Sequence, residues 1–235
     1  MSYPTHPDTI VLRNNYYPQG LKEIDIWNYY QKVKPSILKQ VLGRNVFIFM
    51  LLGDSDSPQV LVRRKDSNGR PLSLTNRNYD SFITGRTLSI HSVFNAYDNR
   101  AVIDIDSDNF DRAKQVTSFC YTSLLESFPL TVSASIRFTG KTSFHIALEF
   151  SRKMKIDSIR FLLRRFFELK PENGSRYTIE LSKAKPGIPN LELQRNSRNN
   201  GAIILDSLSI TGLRCMEVSL SELKSFTPIR AKILL

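Results

Sequence analysis

The stretch "AVIDIDSD", Ala101 to Asp108, begins as apolar as a buried strand and then carries carboxylates at Asp104 and Asp106. Side chains alternate faces along a strand, so Val102, Asp104 and Asp106 line one face and Ile103 and Ile105 the other. Two like charges about 7 Å apart on a half-buried sheet repel unless something offsets them. A divalent cation is the usual offset, because oxygen-rich sites suit magnesium and manganese. The run does not read as a calcium loop. Asn109 stands where that loop's sharp turn needs glycine, and Gln115 where it needs a bidentate glutamate.

On the C-terminal side, the strand runs into "SDNFDRAKQVTSFCYTSLLESF". Here Asp108 is the candidate N-cap of a helix whose apolar face holds Phe110, Ala113, Val116, Cys120 and Leu124. "TVSASIRF" and "FHIALEF" flank the loop "TGKTS" and read as a hairpin. Phe144, Ile146, Leu148 and Phe150 form its apolar face, expected to pack on helices, which leaves His145 on the other face. Beside His145, the hydroxyls of Thr139, Thr142 and Ser143, the Lys141 ammonium and free backbone N–H groups make a candidate phosphate cradle. A basic amphipathic helix, "IDSIRFLLRRFFELK", and three strand-like pieces, "RYTIEL", "NLELQR" and "AIILDSLSI", complete this half. Glu192 alternates with Leu191 and Leu193, so it can face the same surface as the two aspartates.

On the N-terminal side, "EIDIWNYYQKVKPSILKQVL" reads as a helix with a break or kink expected at Pro35. "NVFIFMLL" reads as a buried strand and "VLVRRK" as its partner, and loops with short strands are expected from Asp66 to Asn99. The pattern describes an α+β protein with a mainly antiparallel sheet: one domain over residues 1–235, with lobes at about 1–99 and 100–235. The glycine patterns of a P-loop or a dinucleotide-binding turn are not in the sequence.

Composition sets the class of partner. Thirty-three basic residues against 22 acidic ones give a formal charge of +11, which favours a polyanion, nucleic acid before a membrane surface. Two cysteines are too few for a disulfide framework or a four-ligand zinc site. The start, "MSYPTHPDTI", has no apolar core of the signal-peptide kind, and no run approaches membrane-spanning length. The expectation is a soluble, cytoplasmic protein with a nucleic-acid partner. Carboxylates on adjacent strands, a histidine-bearing phosphate loop and a basic surface together suggest metal-assisted chemistry on a nucleotide, which polymerases and nucleases share.

At these residues the chain resembles the archaeo-eukaryotic primase superfamily, and within it the polymerase domain of bacterial ligase D of non-homologous end joining. "HPDTIVL" followed by "GLKEIDIWNYYQKVKPSILKQVLGRNV" is similar to that domain's opening, and "LSIHSV" to its histidine-bearing segment. "VIDIDSD" resembles the D-x-D metal motif, "TGKTSFHI" the S-G-x-K-G-x-H motif, and "IELSKAKPGIPNLELQRN" the run before and through the third acidic strand. The resemblance implies a primase-polymerase fold, an RNA-recognition-like antiparallel sheet packed with a second α/β lobe and the active site between them. It implies transfer of nucleotides to a 3′-hydroxyl with two manganese or magnesium ions on Asp104, Asp106 and Glu192. It assigns His91, Thr139, Lys141, Thr142, Ser143, His145 and Arg195 to the nucleotide, with Arg195 also shaping the metal strand. Lys22, Arg63 and Arg64 are the candidate DNA contacts.

The chain departs from the family pattern at several points. Glu192 stands where aspartate is usual, Thr142 and Ser143 replace the motif's lysine and second glycine, and Pro186 follows "SKAK" in place of arginine. A lysine used by relatives on a DNA 5′-phosphate falls at Glu23, beside Lys22. The leading expectation is a DNA-dependent nucleotidyltransferase of end joining or gap filling, with nucleoside triphosphates and DNA as substrates. A separate ligase and end-binding protein would be its partners. A catalytically degenerate nucleic-acid-binding module and a metal-dependent nuclease remain as alternatives.

Overall fold

A computed structural model describes residues 10–11, 18–52, 59–128, 131–169, 177–179, 188–193 and 201–233. In chain order the elements are β1 (Ile10–Val11), α1 (Glu23–Val41), β2 (Val46–Leu52), β3 (Gln59–Arg63), α2 (Tyr79–Phe82), β4 (Thr87–Val93) and β5 (Tyr97–Asp106). Then follow α3 (Phe110–Ser127), β6 (Thr131–Phe138), β7 (Phe144–Lys155), α4 (Ile156–Leu169), β8 (Thr178–Ile179), β9 (Asn190–Leu193), β10 (Gly201–Ile203), β11 (Met216–Val218) and α5 (Leu220–Leu223). The architecture is α+β, as expected. The described strands form two sheets, ordered β1-β3-β2-β4-β10 and β11-β6-β7-β5-β9-β8. In the first, β3 runs antiparallel to β1 and β2, and β2 to β4. In the second, the pairs from β11 through to β9 are antiparallel, and β8 lies parallel to β9.

The chain divides into two compact units that are discontinuous in sequence. One comprises Met1–Val93, Ile203–Cys215 and Ala231–Leu235; the other comprises Phe94–Ala202 and Met216–Arg230.

In the first unit, α1 runs unbroken through Pro35. An interior proline removes one helical hydrogen bond, yet Ile26, Tyr29, Tyr30, Ile37 and Val41 bury one continuous face of this helix. That face is tied down by polar contacts. Tyr30 Oη donates to the carbonyl of Leu88 at 3.1 Å and accepts from Leu208 N at 3.1 Å, and Tyr29 Oη donates to the carbonyl of Asp206 at 2.7 Å. Tertiary burial therefore outweighs the local break expected from the sequence. Gly43, at φ +70°, ends the helix in the left-handed region and turns the chain into β2. Within the stretch expected to be mostly loop, β4 is a seven-residue strand that pairs with β2 at the centre of the sheet.

In the second unit, β5 is central. Its Ile103 and Ile105 join Ile146, Leu148, Leu191 and Leu193 from neighbouring strands. They pack with Val116, Cys120 and Leu124 of α3 and Ile159, Leu163 and Phe167 of α4. The apolar side of the β6–β7 hairpin is thus buried against helices as its alternation predicts. The N-cap of α3 is Asn109 and not Asp108: the Asn109 side chain accepts from Arg112 N at 3.0 Å. A cap stands one residue before the first helical turn, and the polar exit of β5 runs one residue further than the sequence suggests.

Candidate functional site

The register of the second sheet brings the predicted carboxylates together. Asp104 on β5 stands directly opposite His145 on β7 and directly opposite Glu192 on β9. Directly opposed residues of antiparallel strands share a face, so the three form one row across three strands. Asp106, two residues on, shares the face and stands opposite Asn190. The row extends the other way to Arg137 on β6, opposite His145, and to Glu217 on β11, opposite Arg137. Sequence reasoning missed Arg137 and Glu217. The signal for Arg137 was present, since "TVSASIRF" alternates Ile136 and Phe138 with Ser135 and Arg137. Glu217 needed the long-range pairing of β11, which no local pattern announces.

The electrostatics of this face are those of a crowded anionic site. Asp104 Oδ2 lies 3.4 Å from His145 Nε2, with the Asp104 side chain 22% exposed and His145 buried. The other atoms of the pair, Asp104 Oδ1 and His145 Nδ1, are buried and find no hydrogen-bond partner among the described residues. Burial first, and then the charges of Asp104 and Glu192, push the Asp106 carboxyl up to about 6. His145 and a hydrogen bond from the Ser143 side chain pull the other way without cancelling them.

The loop between β6 and β7 closes on itself beside these groups. Thr139 N donates to the carbonyl of Ser143 at 3.2 Å, and the two hydroxyl oxygens are 2.7 Å apart. Gly140, at φ +89°, supplies the left-handed step the turn requires. Lys141 and Thr142 stand exposed at its tip. Ser143 therefore bridges the loop to Asp106, while Thr139 braces the loop from its other end.

His91, Lys22, Arg63 and Arg64 belong to the first unit. His91 stacks on Phe47 at 4.8 Å, and its Nε2 is 3.1 Å from Ser89 Oγ. The Arg64 guanidinium lies over the same Phe47 ring at 5.4 Å, and that of Arg63 over Phe82 at 4.3 Å. Lys22 is exposed just before α1, and Glu23 pairs with Arg86 at 3.0 Å. Arg195 and Pro186 lie outside the described residues.

The donor set suits a hard divalent cation. It consists of carboxylate oxygens, one of them buried without a partner among the described residues, beside an aspartate whose ionisation the site itself opposes. Asp104 and Asp106 would hold the ion, with Glu192 across the strand. As they stand, no three His, Cys, Asp or Glu side chains among the described residues already surround one point.

Among the described residues no helix is long and apolar enough to cross a membrane. No family model matches the sequence, and no curated protein matches it. The polymerase domain of ligase D from Mycobacterium tuberculosis, solved in complex with DNA, superposes with a TM-score of 0.72 over 91% of this chain and 88% of that chain, at 14% identity. The chain thus shares the fold of the ligase D polymerase domain.

Proposed function

We propose that the protein is a DNA-dependent nucleotidyltransferase of the primase-polymerase type, adding nucleotides to a 3′-hydroxyl in end joining or gap filling. The observation that carries this reading is the cross-strand row His145–Asp104–Glu192 with Asp106 on the same face, in a fold shared with a polymerase domain. Manganese or magnesium ions on the carboxylates would supply the Lewis acidity that in-line transfer to a 3′-hydroxyl needs. The chain's own residues do the rest. Asp104 and Asp106 concentrate negative charge on one face, and His145 holds Asp104 in place from the neighbouring strand. The Thr139–Ser143 loop offers hydroxyls and the Lys141 ammonium to the triphosphate. His91 is assigned to the nucleotide, as is Arg195, and Lys22, Arg63 and Arg64 to DNA. A ligase and an end-binding protein would act as separate partners.

A second reading, a nucleic-acid-binding module without catalysis, draws support from Glu192, Thr142 and Ser143, which stand where the family pattern has aspartate, lysine and glycine. One experiment separates the two. A labelled primer on a gapped, 5′-phosphorylated template is incubated with manganese and each nucleotide type, beside Asp104→Ala. The polymerase reading expects extension by the wild type and a loss of at least about a thousandfold in the variant, with DNA affinity within about threefold. Wild-type DNA binding without extension would hand the case to the module, and extension by a folded Asp104→Ala would overturn the assignment of Asp104.

A further inference from the structure

At the far end of β5 from Asp104 lies a second feature that the proposed chemistry does not use. Among the described residues only two aromatic side chains are exposed, Tyr97 at 63% and Phe161 at 62%. Both belong to one corner of the second unit. Tyr97 opens β5 and stands directly opposite Lys155, the last residue of β7. Ile156, the first residue of α4, donates its N–H to the carbonyl of Ala96 at 3.0 Å, which fastens the start of that helix beside Tyr97. Phe161 follows on the second turn, about 9 Å along the helix axis from Lys155. Exposed Arg152, Lys153 and Lys155 precede the helix, and the outward Arg164 and Arg165 both reach Glu168. From Arg152 to Leu169 the chain carries six basic residues against two acidic ones.

Large aromatic side chains left in water beside a concentrated positive charge are what a single nucleic-acid strand recognises. Its bases stack on the rings and its phosphates pair with the ammonium and guanidinium groups. A duplex keeps its bases stacked on one another and would gain from the charge alone. We propose that Tyr97, Phe161 and the surrounding Arg152, Lys153 and Lys155 form a platform for single-stranded nucleic acid. Tyr97 lies seven positions before Asp104 on β5, about 23 Å, so the platform touches none of the reacting groups. Its role is to hold an unpaired strand, an overhang or a displaced end, while the carboxylate end works. This rests on the reading that the chain acts on nucleic acid but needs neither metal nor nucleotide.

The test is the anisotropy of a labelled dT16 strand and of a 16-base-pair duplex, in chelator and without nucleotide. For dT16, Tyr97→Ala and Phe161→Ala should each weaken binding about five- to tenfold, with duplex binding within about twofold. Phe161→Trp should restore the affinity, and Phe161→Leu should not, because leucine keeps the apolar bulk without a ring. Lys153→Ala with Lys155→Ala should flatten the salt dependence of dT16 binding by about one to one and a half in the log–log slope. All of these side chains are exposed, so the variants should melt with the wild type. Wild-type dT16 affinity in both aromatic variants would overturn the platform, as would equal rescue by leucine, which points to a protein partner. Primer extension by the wild type is scored separately, so loss of the platform and loss of the polymerase reading give different results.

Discussion

Strands β2 and β5 each pass through the middle of a sheet, yet their sequences obey different rules. In β2, "VFIFMLL", nearly every side chain is buried, on both faces. In β5, "YDNRAVIDID", burial is concentrated in its middle, and carboxylates break the second half. A strand that only holds a core together can be apolar throughout. A strand that also presents chemistry must leave one face polar, and stability then rests on the opposite face. The comparison separates a strand buried on both faces from one that keeps a polar face.

Substitutions can break that contrast. The largest stability effect is expected in β2. Leu51 is fully buried in the core of the first unit, and Leu51→Ala should cost about 2–5 kcal/mol in denaturant unfolding. A loss below about 1 kcal/mol would mean that the first core is far looser than its burial implies.

On β5 the sign should reverse. Asp106 is held above its ordinary range by burial and by Asp104 and Glu192, so its folded-state ionisation opposes folding at neutral pH. The stability that its protonated form contributes is complete below about pH 4 and is lost as the pH rises through about 6. In chelator, Asp106→Asn should therefore melt higher than the wild type at about pH 7, by about 1–2 kcal/mol after allowing for solvent screening. The gain should shrink between about pH 6 and 4 and disappear below. A variant that melts lower at neutral pH would show that the carboxylates do not oppose one another there.

The smallest effect sharpens the boundary between β5 and the helix it feeds. Asn109→Ala removes the side chain that caps α3 and should cost about 1 kcal/mol, whereas Asn109→Ser, which keeps a capping oxygen, should cost less than half of that. Equal losses in the two variants would show that the Asn109 side chain does not cap the helix.

How far the sequence could be read follows from the same contrast. The alternation of β5, the apolar faces of α3 and α4 and the β6–β7 hairpin rest on local periodicity, and all three were legible. The continuity of α1 through Pro35 was not, because it depends on burial and on tyrosine contacts to Leu88, Asp206 and Leu208, far along the chain. Nor was the full length of β4, whose polar flanks hide a strand stabilised by its neighbours. At the site, the alternation placed Asp104, His145 and Glu192 each on the polar face of its own strand. That they face one another is a matter of register, which no single strand contains. Arg137 and Glu217 complete the row for the same reason. The motif resemblance reached further than periodicity did, because spacing between motifs carries long-range information.

The discontinuity of the two units bears on how the chain can be synthesised and divided. The first sheet carries β10 at its edge, beside β4, and the second ends in β11, yet β10 precedes β11 and residues of the first unit lie between them. A ribosome that has released everything up to Ala202 has not supplied the last segments of the first unit, nor β11 of the second. The second sheet lacks a strand until Val218 has emerged, the second unit runs on to Arg230, and the first still waits for Ala231–Leu235. No single cut in the gene therefore separates two complete units, and halves expressed apart would each carry an unpaired strand edge of the kind that invites aggregation.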